Sequence, residues 1–129
     1  MKIPPVHELS RRERQIIDIL YTQGRATAAE VQSLLPDPPS YSAIRALLSI
    51  LERKGHLSHA KDGAKYVYLP TQPRQRAAES ALKRLLKTFF DNSAEKAVAA
   101  LLDSSDTKIS DEELDRLGKL IKKAKKENA

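Results

Sequence analysis

The apolar positions of this chain fall into six helix-like stripes and one short stretch of strict alternation. Ile16, Ile17 and Leu20 make the first stripe, directly behind Ser10-Arg11-Arg12-Glu13. A hydroxyl followed three residues later by a glutamate satisfies two orphan amides at a helix start. The spacing therefore predicts a helix over 11–22, with Gly24 as the residue that ends it. A brief extended piece, Arg25-Ala26, leads to a second box, Thr27 to Glu30, and a short helix over 28–35 with Val31, Leu34 and Leu35 inward. Pro36, Pro38 and Pro39 stop it. Ser40 is placed to cap a third helix, 41–54, in which Ile44, Leu47, Leu48 and Leu51 stand at i, i+3, i+4 and i+7 before Gly55.

The period then changes from helical to two. Leu57 to Ala60 and Lys65 to Leu69 are short strand candidates, joined through Lys61-Asp62-Gly63-Ala64. Asp-Gly between alternating runs signals a hairpin, because glycine tolerates the positive φ of the turn. Three helices followed by a hairpin, with a tiny strand after the first helix, is the order of a winged helix-turn-helix. The predicted fold class is mainly α with a small β-hairpin wing.

Pro4 and Pro5 make residues 1–8 a short tail, and Pro70 and Pro73 mark a boundary on the other side. The expected domains are 1–72, a winged helix-turn-helix, and 73–129, a segment of three further helices. Its first helix runs from Arg74 to Asp91 with Ala78, Leu82, Leu85, Leu86 and Phe89 on one side. Asn92 ends it, and Ser93 caps a second helix striped by Ala97, Val98, Leu101 and Leu102. After a polar break from Asp103 to Asp106, a third capping box, Ser110 to Glu113, precedes Leu114, Leu117 and Ile121. The closing KKAKKENA is expected to fray. Three short helices cannot bury a core by themselves, so these stripes need a partner. That partner is either the winged domain or a second copy of the same segment. The separating prolines favour the second copy, an isologous homodimer built on Leu82, Leu85, Leu86, Phe89, Val98, Leu101, Leu102, Leu114, Leu117 and Ile121.

Composition narrows the function. At 129 residues, 40% hydrophobic and 31% charged, the chain has room for one domain or a small domain with an appendage. Aromatic residues are only 5%, so the core must come from Leu, Ile, Val and Ala. The absence of cysteine removes disulfides and thiolate metal sites and fits a reducing cytoplasm. The N-terminus lacks the apolar run of a signal peptide, and no stretch is long enough to enter a membrane as a span. A net charge of +6 and a pI near 9.6 favour a polyanionic partner.

The outer side of the third helix suits double-stranded DNA. Tyr41, Ser42, Ala43, Arg45, Ala46 and Ser49 are mostly small, hydroxylic or cationic, so a major groove can approach closely, and arginine can fork onto guanine O6 and N7. Arg45 is the expected base contact, with Ser42 and Tyr41 on base edge or phosphate. Arg53 and Lys54 would lie near backbone, Lys61 and Lys65 would meet phosphates beside the wing tip, and Arg11, Arg12 and Arg14 are further phosphate candidates. Cations at a helix N-terminus oppose its dipole, which a phosphate partner would offset. Enzyme chemistry has little to stand on. No GxSxG surrounds any serine, the four glycines form no phosphate loop, and Asp111, Glu112, Glu113 and Asp115 are helix N-terminal charges. No cofactor is expected. No metal site is expected either, since among His7, His56 and His59 the latter two would face opposite ways from a strand starting at Leu57.

Three segments together resemble the penicillinase-repressor group (BlaI/MecI/CopY): LSRRERQIIDIL, RATAAEV and YSAIRALLSILERKGHLSHAKDGAKYVYLP. The last is the most specific, with YSAIR, LERKGHL and DGAKYVY standing in order. The resemblance covers nearly the whole chain. It implies a dimeric winged-helix repressor that sits on operator dyads, binds DNA through the winged domain and dimerises through the tail. In the resistance branch a membrane sensor protease signals for cleavage of the tail at Asn-Phe in its middle helix. The matching position here is Ala100-Leu101, a departure from that specificity. The copper-responsive branch carries a cysteine-rich metal motif, which this chain lacks. Relief by tail cleavage, by a ligand, or by partner competition alone all stay open. A second function class, a winged module that scaffolds a protein assembly, would require large apolar side chains on the outer face of the third helix.

Overall fold

In a computed structural model of the chain, residues 8–104, 106 and 108–128 are described, and the expected Pro4-Pro5 tail and His7 lie outside them. The chain divides into two compact units, one reaching Glu79 and one starting at Ser80.

In the first unit, helix α1 (Arg11–Gln23) opens on a complete capping box. Ser10 Oγ accepts from the Glu13 amide at 3.2 Å, and Glu13 Oε1 accepts from the Ser10 amide at 3.0 Å. Gly24, at φ 86, ends the helix by turning its N–H onto the Leu20 carbonyl at 2.8 Å. Strand β1 (Ala26–Thr27) leads into α2 (Ala28–Leu34), whose start carries the second reciprocal box, Thr27 with Glu30. Helix α3 (Tyr41–Arg53) is capped by Ser40, whose hydroxyl accepts from the Ala43 amide at 3.2 Å. Ile44, Leu48 and Leu51 of α3 are fully buried, and Leu47 packs at the margin.

One inward residue is corrected. Leu34 is 49% exposed, while Val31 and Leu35 are buried. The helix stops at Leu34, and Leu35, in extended conformation, carries the next apolar side chain to the core instead.

The sheet has strand order β1-β3-β2, all antiparallel, with β2 at Leu57–Asp62 and β3 at Lys65–Pro70. Ala26 faces Tyr68 across β1 and β3, and the hairpin register runs from Leu57 opposite Pro70 to Asp62 opposite Lys65. Lys61 and Asp62, expected in the loop, belong to the strand. The turn is Gly63-Ala64 alone, with Gly63 at φ 65 in its first position. At the other end of the hairpin, Thr71 Oγ1 donates to the Gly55 carbonyl at 2.6 Å and its amide donates to the His56 carbonyl, tying the exit of β3 to the end of α3.

The core draws on α1, α2, α3 and all three strands, with Ile16, Ile17, Leu20, Val31, Ile44, Leu48 and Leu51 fully enclosed. Each such side chain is worth about 1.5–3 kcal/mol of burial, so these seven dominate the stability of the winged half.

Helix α4 (Arg74–Phe89) begins in the first unit and runs into the second, followed by α5 (Ala94–Asp103) and α6 (Asp111–Glu127). Asp91 and Asn92 take left-handed φ of 54 and 59, so α4 ends two residues sooner than expected. The Asn92 amide closes it by donating to the Leu86 carbonyl. Ser93 caps α5 through the Lys96 amide, and Ser110 caps α6 through the Glu113 amide. No described residue of α4, α5 or α6 is buried. Most of the apolar stripe residues of these helices are exposed, Phe89 most of all at 70%.

Candidate nucleic-acid interface

The outward side of α3 follows from its inward one. With Ile44, Leu48 and Leu51 in the core, helical period turns Ser42, Arg45, Ala46, Ser49 and Arg53 to the surface, and all five are exposed. Tyr41 is exposed at the helix start, while Ala43 is only half-exposed, behind the Ser40 cap. Ser42 Oγ lies 3.2 Å from Ser40 Oγ, which leaves the Ser42 hydroxyl near the first turn.

An open cleft separates the N-terminal end of α3 from the wing. Tyr41 and Arg45 line one side, Lys61, Lys65 and Tyr66 the other, and Thr27, Ala28 and Tyr68 form part of its floor and rim. The structure thus brings Tyr41, Arg45, Lys61 and Lys65, four of the expected helix and wing residues, to one cleft. Burial pushes the Tyr68 phenol up, the Arg45 charge pulls it back, and Glu52, Tyr41 and Tyr66 push it further up. Arg45 is therefore within electrostatic reach of the cleft floor. Lys61 Nζ sits 5.8 Å over the Tyr66 ring, a cation–π contact that steadies the ammonium at the wing.

The other five cations expected on this surface divide differently. Arg11 and Arg53 are exposed. Arg12 has its terminal nitrogens committed within the protein, one to the Pro36 carbonyl at 2.9 Å and Gln15 Oε1 at 3.1 Å, the other to the Asp37 carbonyl. Its guanidinium braces the turn between α2 and α3, where Asp37 holds φ 45. Lys54 is likewise drawn inward, its Nζ 2.8 Å from Oε2 of Glu13. Burial pushes the Asp18 carboxyl up, and Arg14, one turn earlier on α1, offsets only part of that rise.

Sequence reasoning missed one network. His59 Nδ1 lies 2.8 and 2.7 Å from the two carboxylate oxygens of Glu52, joining β2 to α3. The imidazole also lies against Tyr66, with ring centroids 4.6 Å apart, and 6.0 Å from Tyr68. The i to i+7 separation of Glu52 and His59 crosses a helix end and a turn, so no periodic signal marks it. His56 is buried and His59 is partly exposed on the strand that starts at Leu57, so the two do not converge. Among the described residues no group of three or more His, Asp or Glu side chains could hold a metal ion, and no helix is long and apolar enough to cross a membrane.

Comparison with known proteins places the fold and the family. A 16.5 kDa protein from the ptsI 3′ region of Latilactobacillus sakei is 26% identical over 101 residues, which span 77% of this chain and 69% of that one. Among solved structures, a transcriptional regulator from Thermotoga maritima superposes with a TM-score of 0.54 at 21% identity, covering 95% of this chain and 80% of its own. The hsRosR-S1 protein, solved as a complex, gives 0.59 at 16% identity, covering 75% of this chain and 89% of its own. At these identities the structures speak for the fold alone. Residues 9–123 match the penicillinase repressor family. With nearly every element inside that span, the chain belongs to the penicillinase repressor family and is a winged-helix transcriptional regulator.

Proposed function

We propose that the protein is a homodimeric repressor that reads an operator dyad in double-stranded DNA through α3 and the wing. The observation that carries this reading is the exposed face of Tyr41, Ser42, Arg45, Ala46 and Ser49 beside the cationic wing tip, around one cleft. Small and hydroxylic side chains let the helix approach base edges, and Arg45 supplies the bidentate donor for guanine. Lys61 and Lys65, with Arg53 and Arg11, supply phosphate contacts, so affinity falls steeply with salt.

Residues 1–72 serve DNA and 73–129 serve dimerisation in this reading. None of Leu82, Leu85, Leu86, Phe89, Val98, Leu101, Leu102, Leu114, Leu117 and Ile121 is fully buried within one chain, and a second copy would cover them. Two recognition helices about one helical turn apart, roughly 34–36 Å, then read an inverted repeat. Parting the dimer would leave each copy holding half a dyad. A cut in α5, at Ala100-Leu101, is one way to part it, and a membrane sensor protease pathway would be its source. Acting on DNA, the protein works in the cytoplasm.

The test is selection of bound sequences from random duplex DNA by the purified full chain at moderate salt. Enrichment of an inverted repeat is expected. A folded dimer that enriches no sequence would instead favour a protein-scaffolding role.

A further inference from the structure

We propose that Glu52 and His59 form a proton-operated gate on DNA binding, a regulation that rests on the DNA-binding reading above. Glu52 follows Ser49 by three residues and Arg45 by seven, so it stands on the outward stripe of α3. A carboxylate in that place, partly exposed, repels a phosphate backbone unless its charge is cancelled. Both of its oxygens lie on His59 Nδ1, at 2.8 and 2.7 Å.

The charged and titratable groups around the imidazole are Glu52 from α3, Tyr66 and Tyr68 from β3, and Lys61 on its own strand, with Arg45 acting on Tyr68 from α3. Of these side-chain types, only imidazole ordinarily changes charge between pH 5 and 8. Protonated, His59 cancels the Glu52 charge and adds one that phosphate attracts. Neutral, its Nδ1–H still orients the carboxylate but leaves a full negative charge on the recognition stripe. Approach of a polyanion favours the protonated form, so binding takes up a proton and affinity falls as pH rises.

The experiment measures binding of a fluorescein-labelled mixed-sequence duplex by the full chain at constant ionic strength, from about pH 5.5 to 8.5. The wild type is expected to weaken with rising pH, by at most about tenfold per pH unit for each proton taken up. His59→Gln should lose most of that slope. Glu52→Gln should bind several-fold more tightly than the wild type at the alkaline end, where its carboxylate would otherwise stand uncancelled. A His59→Gln variant that keeps the wild-type slope overturns the proposal, as does a Glu52→Gln variant with no alkaline gain. Wild-type binding that is flat across the range overturns the gate and leaves the DNA-binding reading standing. Absence of binding at every pH overturns both.

Discussion

Lys54 and Glu13, 41 positions apart, are joined by a 2.8 Å ion pair that links the end of α3 to the start of α1. Glu13 serves both helices, since Oε1 caps α1 through the Ser10 amide while Oε2 receives the lysine. Burial pushes its carboxyl up, but the hydrogen bonds from Lys54 and Ser10 and the lysine charge together outweigh burial and hold it below the usual 4.5.

That direction fixes a pH dependence. The unfolded chain binds this proton more readily than the folded one, so the contribution is fully present above the ordinary carboxylate range. It is lost as pH falls through the lowered folded value. Glu13→Gln should cost about 1–2 kcal/mol at neutral pH, from a weakened cap and a lost ion pair. The gap from wild type should close as pH drops below 4.5. Urea unfolding followed by circular dichroism checks this, and a gap that stays constant down to acid pH would remove the charge argument.

Arg12 separates a structural cation from a DNA-binding one. Arg12→Ala removes the bonds to Pro36 and Asp37 and should lower stability by about 1 kcal/mol. Its salt dependence of DNA binding should stay that of the wild type. A reduced salt slope with unchanged stability would return Arg12 to the phosphate contacts.

Arg45 and Lys65 should behave differently from one another. Arg45→Ala is expected to lose about 1–3 kcal/mol on the preferred sequence and to relax the preference at one base position. Lys65→Ala should weaken all sequences alike and shrink the salt slope by about one per subunit. Equal losses on every sequence from both variants would contradict these roles.

Much of the fold was legible because its signals are local. Ser10, Thr27, Ser40, Ser93 and Ser110 all cap where a hydroxyl precedes a periodic run, each bonding an amide three residues on. The α3 face was legible for the same reason, since burial of Ile44, Leu48 and Leu51 leaves only one side for Arg45. What spacing cannot hold is long-range pairing. Arg12 meets carbonyls 24 and 25 residues away and Lys54 a carboxylate 41 away, and both therefore read as free surface cations. Leu34 was misplaced because a two-turn helix has too few positions to define its inner side.

The tail offers a direct check on the dimer. Leu101→Asp places a charge on an apolar stripe that a second copy would cover, and anchors of such interfaces cost about 2 kcal/mol or more when lost. Sedimentation should then show the dimer dissociation constant raised roughly thirtyfold or more, with the winged unit still folded. A variant that stays as dimeric as the wild type would place the interface elsewhere.

Helices that bury none of their described residues within one chain have a consequence for gene dosage. On the dimeric reading, the half built from them is finished only by meeting another copy, so its melting temperature climbs with protein concentration. Operator occupancy then depends on the square of the free monomer level wherever monomers prevail. Halving the supply, by dilution at cell division or by slowed synthesis, would release the controlled genes more sharply than a simple titration allows.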